Sequence, residues 1–202
     1  MSSNTATLTD NRTGKSYEFP ILKGTMGPDV IDISTFFSDT GMFTFDRGYT
    51  STAMCRSAIT YIDGLKGELM YRGYDIAYLA ENKTFLDVAY LLLNKELPTN
   101  DQYINFKTEL KKRSFIHEGM MKLFDAFPDK AHPMAILQAA VSALSAFYSD
   151  HLNMDKPEEY HEMAMRIIAK IPTIAAFSYR YSRGLPIIYP NLDRGFTENF
   201  LY

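Results

Sequence analysis

The sequence of 202 residues is 46% apolar, with a formal net charge of −3 and a pI near 5.8. This composition supports a globular core but offers no basic field for a nucleic-acid partner, and no apolar run is long enough for a signal peptide or a membrane span. Cys55 is the only cysteine, which excludes an intrachain disulfide and the common thiolate zinc sites and favours a cytoplasmic location without a bound metal.

Two pairs of β-strands are predicted in the first third of the chain. Residues 6–19 predict a hairpin, because polar and apolar residues alternate on both sides of a turn-forming stretch at 10–14. Residues 59–71 show a similar pattern on both sides of Asp63-Gly64. We therefore expect residues 1–74 to form a small β-rich N-terminal segment.

Beyond this segment the apolar spacing becomes helical, and start and stop signals follow one another closely. Thr84 is predicted to cap a helix over residues 85–93. Thr99 and Gln102, three residues apart, form a capping box that predicts the next helix. Short helices are therefore expected throughout residues 75–202.

Two further helices are predicted between residues 114 and 148. Ser114 is expected to cap the first. Its buried face should contain five apolar residues at helical spacing: Ile116, Met120, Leu123, Phe124 and Phe127. The second begins at His132-Pro133 and is apolar on all sides, so we expect it to be buried on most of them.

The clearest amphipathic pattern begins near Asp155 and Pro157. Its apolar stripe consists of Tyr160, Met163, Ala164, Ile167, Ile168 and Ile171. Pro172 is predicted to end this helix or to begin the next, which reaches Gly184. The predicted fold class is mainly α-helical, with a small β region at the N-terminus.

No local motif names an enzyme, because the sequence has no phosphate-binding Gly-rich loop, nucleophile elbow or zinc helix. The histidines have ordinary interpretations. We interpret His117-Glu118 as a helix-start pair and His132 as a helix-entry residue, and we expect His151 and His161 to be solvated.

Arg72 has two interpretations. Within Tyr71-Arg72-Gly73-Tyr74 its guanidinium could clamp an anion or stack across an interface. Alternatively, Gly73 provides a tight turn from strand to helix and Arg72 pairs with a carboxylate. The residues favour neither interpretation.

Two groups of basic residues could hold phosphate groups. Residues 111–113 end one predicted helix, and Arg166 and Lys170 lie four apart on another. A solvated face explains them too, since Glu162 would form an intrahelical pair with Arg166. The residue pattern by itself favours this simpler interpretation.

Several segments of the chain, taken together and in order, carry a family resemblance. They are LKG (22–24), DVIDI (29–33), FTFD (43–46), STA (51–53), ITYIDG (59–64), YRGYDI (71–76), HPM (132–134), AFY (146–148), KIPT (170–173) and YP (189–190). This set resembles the opening half of citrate synthases. The segment before Leu22 is similar to the extra β-rich piece of the Gram-negative, or type II, enzymes.

The resemblance implies a multi-helical citrate synthase-like large domain, incomplete in this chain and preceded by the β region. The four large apolar residues near the C-terminus lead us to expect that the chain ends within an element. The family also implies a homo-oligomer, either a dimer or a hexamer made of dimers.

The activity implied by the resemblance is condensation of acetyl-CoA with oxaloacetate to give citrate and CoA. This chemistry needs a carboxylate base and neutral donors to the enolate oxygen. In the family these groups lie in the second half of the chain, and no position here matches them. We therefore assign no catalytic residue and no cofactor, and we expect the chain alone to be inactive.

Two alternative functions stay open. One is 2-methylcitrate synthase, which uses propionyl-CoA, and the other is a non-catalytic helical interaction or nucleotide-binding module.

The type II resemblance also implies an allosteric site for NADH. The residues that align with it are Lys112, Arg113, Ser114, Tyr148, Arg166 and Lys170. Their cations would meet the pyrophosphate, and Tyr148 would meet the rest of the nucleotide. The family pattern at 112–115 is of the Arg-His-Thr-Met type, from which this chain departs.

Overall fold

The computed structural model of the chain describes residues 4–149, 153 and 155–202, so His151 lies outside the described residues. The chain divides into two compact units, Met1–Thr84 and Phe85–Tyr202. The sequence predicted a change of structure after residue 74. The first compact unit also includes the first helix after that change, because this helix packs against the neighbouring strands.

The first unit contains two antiparallel sheets of three strands each. The first consists of β1 (Thr5–Asp10), β2 (Lys15–Leu22) and β3 (Val30–Ile31), in that order. The second consists of β4 (Thr60–Asp63), β5 (Glu68–Tyr71) and β6 (Tyr74–Asp75). Both predicted strand pairs are confirmed, with Asp10 opposite Lys15 in one and Asp63 opposite Glu68 in the other. The two-residue strands β3 and β6 are additions that the sequence pattern did not predict.

Arg72 forms a tight turn with Gly73. Both residues have positive φ, 51° and 87°, and they link β5 to β6 as a two-residue hairpin loop requires. The Arg72 guanidinium donates a hydrogen bond to the carbonyl of Ala58 at 3.1 Å. These contacts support the tight turn of the second interpretation, although the turn joins two strands rather than a strand and a helix, and the partner named here is a carbonyl rather than a carboxylate.

Eight helices and one 3-10 turn lie in the described part of the chain. They are α1 (Phe36–Thr40), α2 (Ile76–Asn82), α3 (Phe85–Asn94), α4 (Asn100–Arg113), a 3-10 turn (Glu118–Met120), α5 (Met121–Asp125), α6 (Pro133–Phe147), α7 (Pro157–Ser182) and α8 (Phe196–Leu201). The predicted mainly α-helical class is confirmed. Within the described ranges, no helix combines the length and the apolar character that crossing a bilayer requires.

The capping box predicted for α4 is present. The Thr99 hydroxyl accepts from the Gln102 amide at 3.4 Å, and the Gln102 side chain accepts from the Thr99 amide at 2.9 Å. We expect Thr99→Ala to lower the free energy of unfolding by about 0.5–2 kcal/mol. Urea unfolding would measure the loss. The control is Thr108→Ala on the exposed face of the same helix, and an equal loss in both variants would contradict the capping role.

The predicted helix start at Ser114 is wrong. Ser114 instead ends α4, and its hydroxyl donates to the Lys111 carbonyl at 2.8 Å. The next helical turn begins at Glu118, where the Nδ1 atom of His117 accepts from the Gly119 amide at 2.9 Å. An imidazole nitrogen performs the capping that a hydroxyl was expected to perform.

The other helix-entry histidine behaves as predicted. The Nδ1 atom of His132 accepts from the Met134 amide at 3.2 Å, with Pro133 in the first helical position. The helix that follows is less buried than its composition suggested. Only Ile136, Ala140 and Leu144 are buried along α6, and Met134 is 60% exposed. The prediction of burial on most sides is therefore wrong for this structure.

The helix α7 differs from its prediction in two ways. It is 26 residues long and continues through Pro172, where the sequence predicts a break. The residues beyond the proline are buried, and their burial outweighs a penalty of about 3 kcal/mol for the proline. Its buried face also differs from the predicted stripe. The buried residues are Met165, Ala169, Lys170, Thr173, Ile174, Phe177 and Ser178, whereas Tyr160, Ile167 and Ile171 of the predicted stripe are exposed.

The second unit has two apolar clusters, and α7 contributes to both. The first cluster consists of Ile116, Met120, Phe124, Ile136, Ala140, Leu144, Ile174 and Phe177. The second consists of Leu86, Phe106, Leu110, Met165 and Ala169. Lys170 and Thr173 come between the two sets of cluster residues along α7, so a buried polar stretch of this helix separates its two apolar contacts.

Candidate functional site

The C-terminal end of α4 is held by polar side chains of α7. The Lys170 ammonium donates to the carbonyl of Arg113 at 2.8 Å and to that of Phe115. The Thr173 hydroxyl donates to the Ser114 carbonyl at 2.8 Å. The last carbonyls of a helix have no partner within it, so α7 supplies the missing donors. Only 4% of Lys170 is exposed.

Glu162 joins two arginines from different helices. Its carboxylate accepts from Arg113 Nε at 3.0 Å and Nη2 at 2.8 Å, and from Arg166 Nε at 2.8 Å. The predicted intrahelical pair with Arg166 is therefore present. It is not simply a solvated surface pair, because the side chains of Glu162 and Arg166 are 24% and 20% exposed.

Glu109 extends this network along α4. Its side chain pairs with Arg113, four residues later, and with Lys112 at 2.6 Å. The sequence analysis did not single out Glu109, although its spacing to Arg113 is the ordinary signal for an intrahelical ion pair. The cation cluster, defined here as Lys112, Arg113, Arg166 and Lys170, is therefore balanced in part by two carboxylates.

Tyr148 lies against the α7 part of the cluster. It ends α6, and the Lys170 Nζ lies 4.5 Å from the centre of its ring while the Arg166 guanidinium carbon lies 5.3 Å away. Cations over an aromatic face are attracted by the electron density of the ring. The ring therefore helps to hold both cations in place.

The environment of the cluster shifts several pKa values. Burial lowers the pKa of Lys170 to about 8, nearby Arg166 and Arg113 act in the same direction, and Glu162 opposes them. Hydrogen bonds from Lys112 and Arg113 lower the pKa of Glu109 to about 2. Hydrogen bonds from Arg113 and Arg166 lower the pKa of Glu162, and burial raises that of Tyr148. Both carboxylates are therefore ionised at neutral pH.

The structure brings five of the six predicted site residues together and leaves Lys112 at the edge. Lys112 has a side chain that is 64% exposed and pairs only with Glu109 among the contacts described above. Ser114 takes part through its backbone carbonyl, since its hydroxyl is bonded to Lys111. His161 is exposed, as predicted.

Two cavities border the cluster. One of about 120 Å³ is lined by Val141, Leu144, Ser145, Tyr148, Met163, Arg166, Ile167 and Lys170. The other, of about 260 Å³, is lined in part by Gln102, Glu109, Arg113, His161 and Glu162. Pockets for drug-sized ligands usually measure about 300–1,000 Å³. The smaller cavity therefore matches a phosphate or a ring rather than a whole dinucleotide.

A third cavity, of about 300 Å³, lies between α7 and α8. It is lined in part by lysine and arginine side chains that already contact other groups of the chain. The Lys111 ammonium donates to the Leu192 carbonyl at 2.7 Å, and Arg180 Nε donates to the Pro186 carbonyl at 2.6 Å. Arg194 lies 3.7 Å from the centre of the Tyr202 ring. Among the described residues, no group of three or more His, Cys, Asp or Glu side chains could hold a metal ion.

Comparison with known proteins identifies the family. The family model described as "Citrate synthase, C-terminal domain" matches residues 48–202. The chain belongs to the citrate synthase family. The citrate synthase of Helicobacter pylori strain J99 is 50% identical over 197 residues, which are 97% of this chain and 46% of that protein.

Solved citrate synthases share the fold. The enzyme from Pyrobaculum aerophilum is 33% identical with a TM-score of 0.70, and the match covers 91% of this chain and 44% of that one. The enzyme from Thermotoga maritima MSB8 is 31% identical with a TM-score of 0.67, covering 79% and 41%. The chain therefore spans less than half the length of these relatives.

Proposed function

We propose that this chain is part of an enzyme that condenses acetyl-CoA with oxaloacetate to give citrate and CoA, the entry reaction of the tricarboxylic acid cycle. The observation that carries the proposal is the 50% identity with a citrate synthase across 97% of the chain. The helices α3 to α7 and their two apolar clusters would provide the rigid part of the large domain. No catalytic residue is assigned in this chain, so we propose that it is inactive alone.

An assay of the full-length protein tests the proposal. Oxaloacetate is supplied with acetyl-CoA or with propionyl-CoA, and the released CoA thiol is followed with a chromogenic thiol reagent. We expect a higher kcat/KM with acetyl-CoA. A preference for propionyl-CoA would identify a 2-methylcitrate synthase instead, and no thiol release with either substrate would favour a non-catalytic module. The 202-residue chain by itself should release none.

We also propose the type II subtype, a homo-oligomeric assembly and a cytoplasmic location. The β1–β2 hairpin, which ends at Leu22, supports the subtype, because the type II resemblance implies an extra β-rich piece in this part of the chain. A single exposed cysteine, Cys55, is compatible with a reducing compartment. Light scattering of the full-length protein distinguishes a dimer from a hexamer.

We propose in addition that the cation cluster and Tyr148 bind NADH as an allosteric inhibitor. Arg166, Lys170 and Tyr148 border one small cavity, where the two cations can meet phosphate oxygens. Titration of the full-length enzyme with NADH at low salt tests this proposal. We expect inhibition that Arg166→Gln weakens and that the control Lys122→Gln, an exposed lysine of α5, leaves unchanged. No inhibition of the unmodified enzyme would contradict it.

A further inference from the structure

The arginines of the candidate site already hold an anion that belongs to the chain itself. Glu162 accepts from two nitrogen atoms of the Arg113 guanidinium, at 3.0 and 2.8 Å, and from Arg166 Nε at 2.8 Å. A carboxylate held by an arginine fork occupies the position that a phosphate group would occupy in the same fork. The site is therefore filled by an internal ligand.

We propose that Glu162 closes this site, and that a phosphate group binds to Arg113 and Arg166 only by displacing the Glu162 carboxylate. This inference rests on the nucleotide site proposed above and concerns its regulation. It makes Glu162 a residue that sets the affinity of the site for phosphates rather than a residue that binds them.

The balance of charge explains the competition. The cation cluster carries four positive charges, and Glu109 and Glu162 supply two negative ones. A pyrophosphate group that entered beside Glu162 would face like charges at short range in a partly buried site, where their repulsion is strong. If Glu162 leaves, the same group meets Arg113 and Arg166 with less repulsion, because the one carboxylate that remains, Glu109, is paired with both Lys112 and Arg113.

The displaced side chain has a place to go. Glu162 lines the cavity of about 260 Å³ together with the polar residues His161 and Gln102, and Glu109, which also lines it, is already paired with Lys112 and Arg113. The Glu162 side chain is 24% exposed, so rotation towards this cavity restores contact of the carboxylate with water. A phosphate group in the place of the Glu162 carboxylate would then lie between Arg113, which lines this cavity, and Arg166, which lines the cavity bordered by Lys170 and Tyr148.

Binding of inorganic pyrophosphate and of NADH to the full-length protein, measured by calorimetry, tests the inference. We expect Glu162→Gln to bind pyrophosphate about tenfold more tightly or better, because it removes the competing charge and keeps an oxygen that can accept from the arginines. The control is Glu158→Gln, which removes an exposed carboxylate from the first turn of the same helix. We expect no gain from the control.

A second variant separates charge from shape. Glu162→Asp keeps the negative charge and shortens the side chain, so its affinity for pyrophosphate should stay nearer to that of the unmodified protein than to that of Glu162→Gln. The inference is overturned if Glu162→Gln gains no affinity, or if Glu162→Asp gains as much. Tighter pyrophosphate binding without NADH binding in any variant would overturn the NADH site alone. No binding of either ligand to any variant would overturn both.

Discussion

Replacing Phe124 by alanine is expected to lower the free energy of unfolding by about 3–5 kcal/mol, the usual cost of removing a large aromatic side chain from a packed core. Phe124 is 0% exposed, and its ring meets that of Phe177 edge-on with the centres 5.9 Å apart. The space that it leaves would be lined by α6 and α7, which cannot close it without moving apart from their other partners. Urea unfolding of the purified protein measures the loss.

The control for this prediction is Phe45→Ala. Phe45 is 93% exposed, so we expect a change of about 0.5 kcal/mol or less. A loss at Phe124 as small as the loss at Phe45 would show that the cluster between α5, α6 and α7 is not tightly packed.

Lys170→Met is expected to lower the free energy of unfolding by about 2–3 kcal/mol at pH 7. Methionine has a similar length but no donor, so the carbonyls of Arg113 and Phe115 lose the partner that α7 supplies, and buried polar groups without partners are costly. Denaturant unfolding of both proteins measures the difference. Lys122→Met, on an exposed face of α5, is the matched control.

The destabilisation by Lys170→Met should also depend on pH. The pKa of Lys170 is about 8 in the folded chain, compared with 10.5 for an ordinary lysine. Between these values the unfolded chain binds more protons at this residue than the folded chain does, so the stability of the unmodified protein rises with pH. The neutral amine still has two hydrogens for the two carbonyls. The difference between the two proteins should therefore be larger at pH 10 than at pH 7, and a constant difference would contradict the lowered pKa.

Local features of the fold were predictable from the sequence. The hairpins and the Thr99–Gln102 capping box follow from residues that are close in the chain, and their hydrogen bonds are formed within the same few residues. The positions of the basic residues of the site were predictable from local sequence as well. Residues 111–113 occupy a helix terminus, and Arg166 and Lys170 are one turn apart on α7.

The contacts that define the site were not predictable in this way. Glu162 was assigned to Arg166 alone, but it also binds Arg113, which is 49 residues away in sequence. Lys170 was expected on a polar face, yet it is buried because it completes the end of α4. Both errors arise because helical spacing specifies which residues share a face but not which helix that face will meet.

The face of α7 was misassigned for a related reason. This helix has apolar residues on more than one side, and the clearest stripe in the sequence, which includes Ile167, predicts the buried face. The structure buries Met165 and Ile174 and exposes Ile167. Hydrophobicity alone could not choose between these sides, because the choice depends on where α4 and α6 lie.

Pro172 interrupts the backbone hydrogen bonds of α7 between the part that carries Arg166 and the part that packs in the first apolar cluster. Proline has no amide hydrogen, so it provides no bond to the carbonyl of Ile168 one turn earlier. The missing bond spans residues 168–172, so it lies after Arg166 and before Ile174 and Phe177. Because a helix bends most readily where this bond is missing, we expect a shift of Arg166 on ligand binding to disturb the packing of Ile174 and Phe177 little.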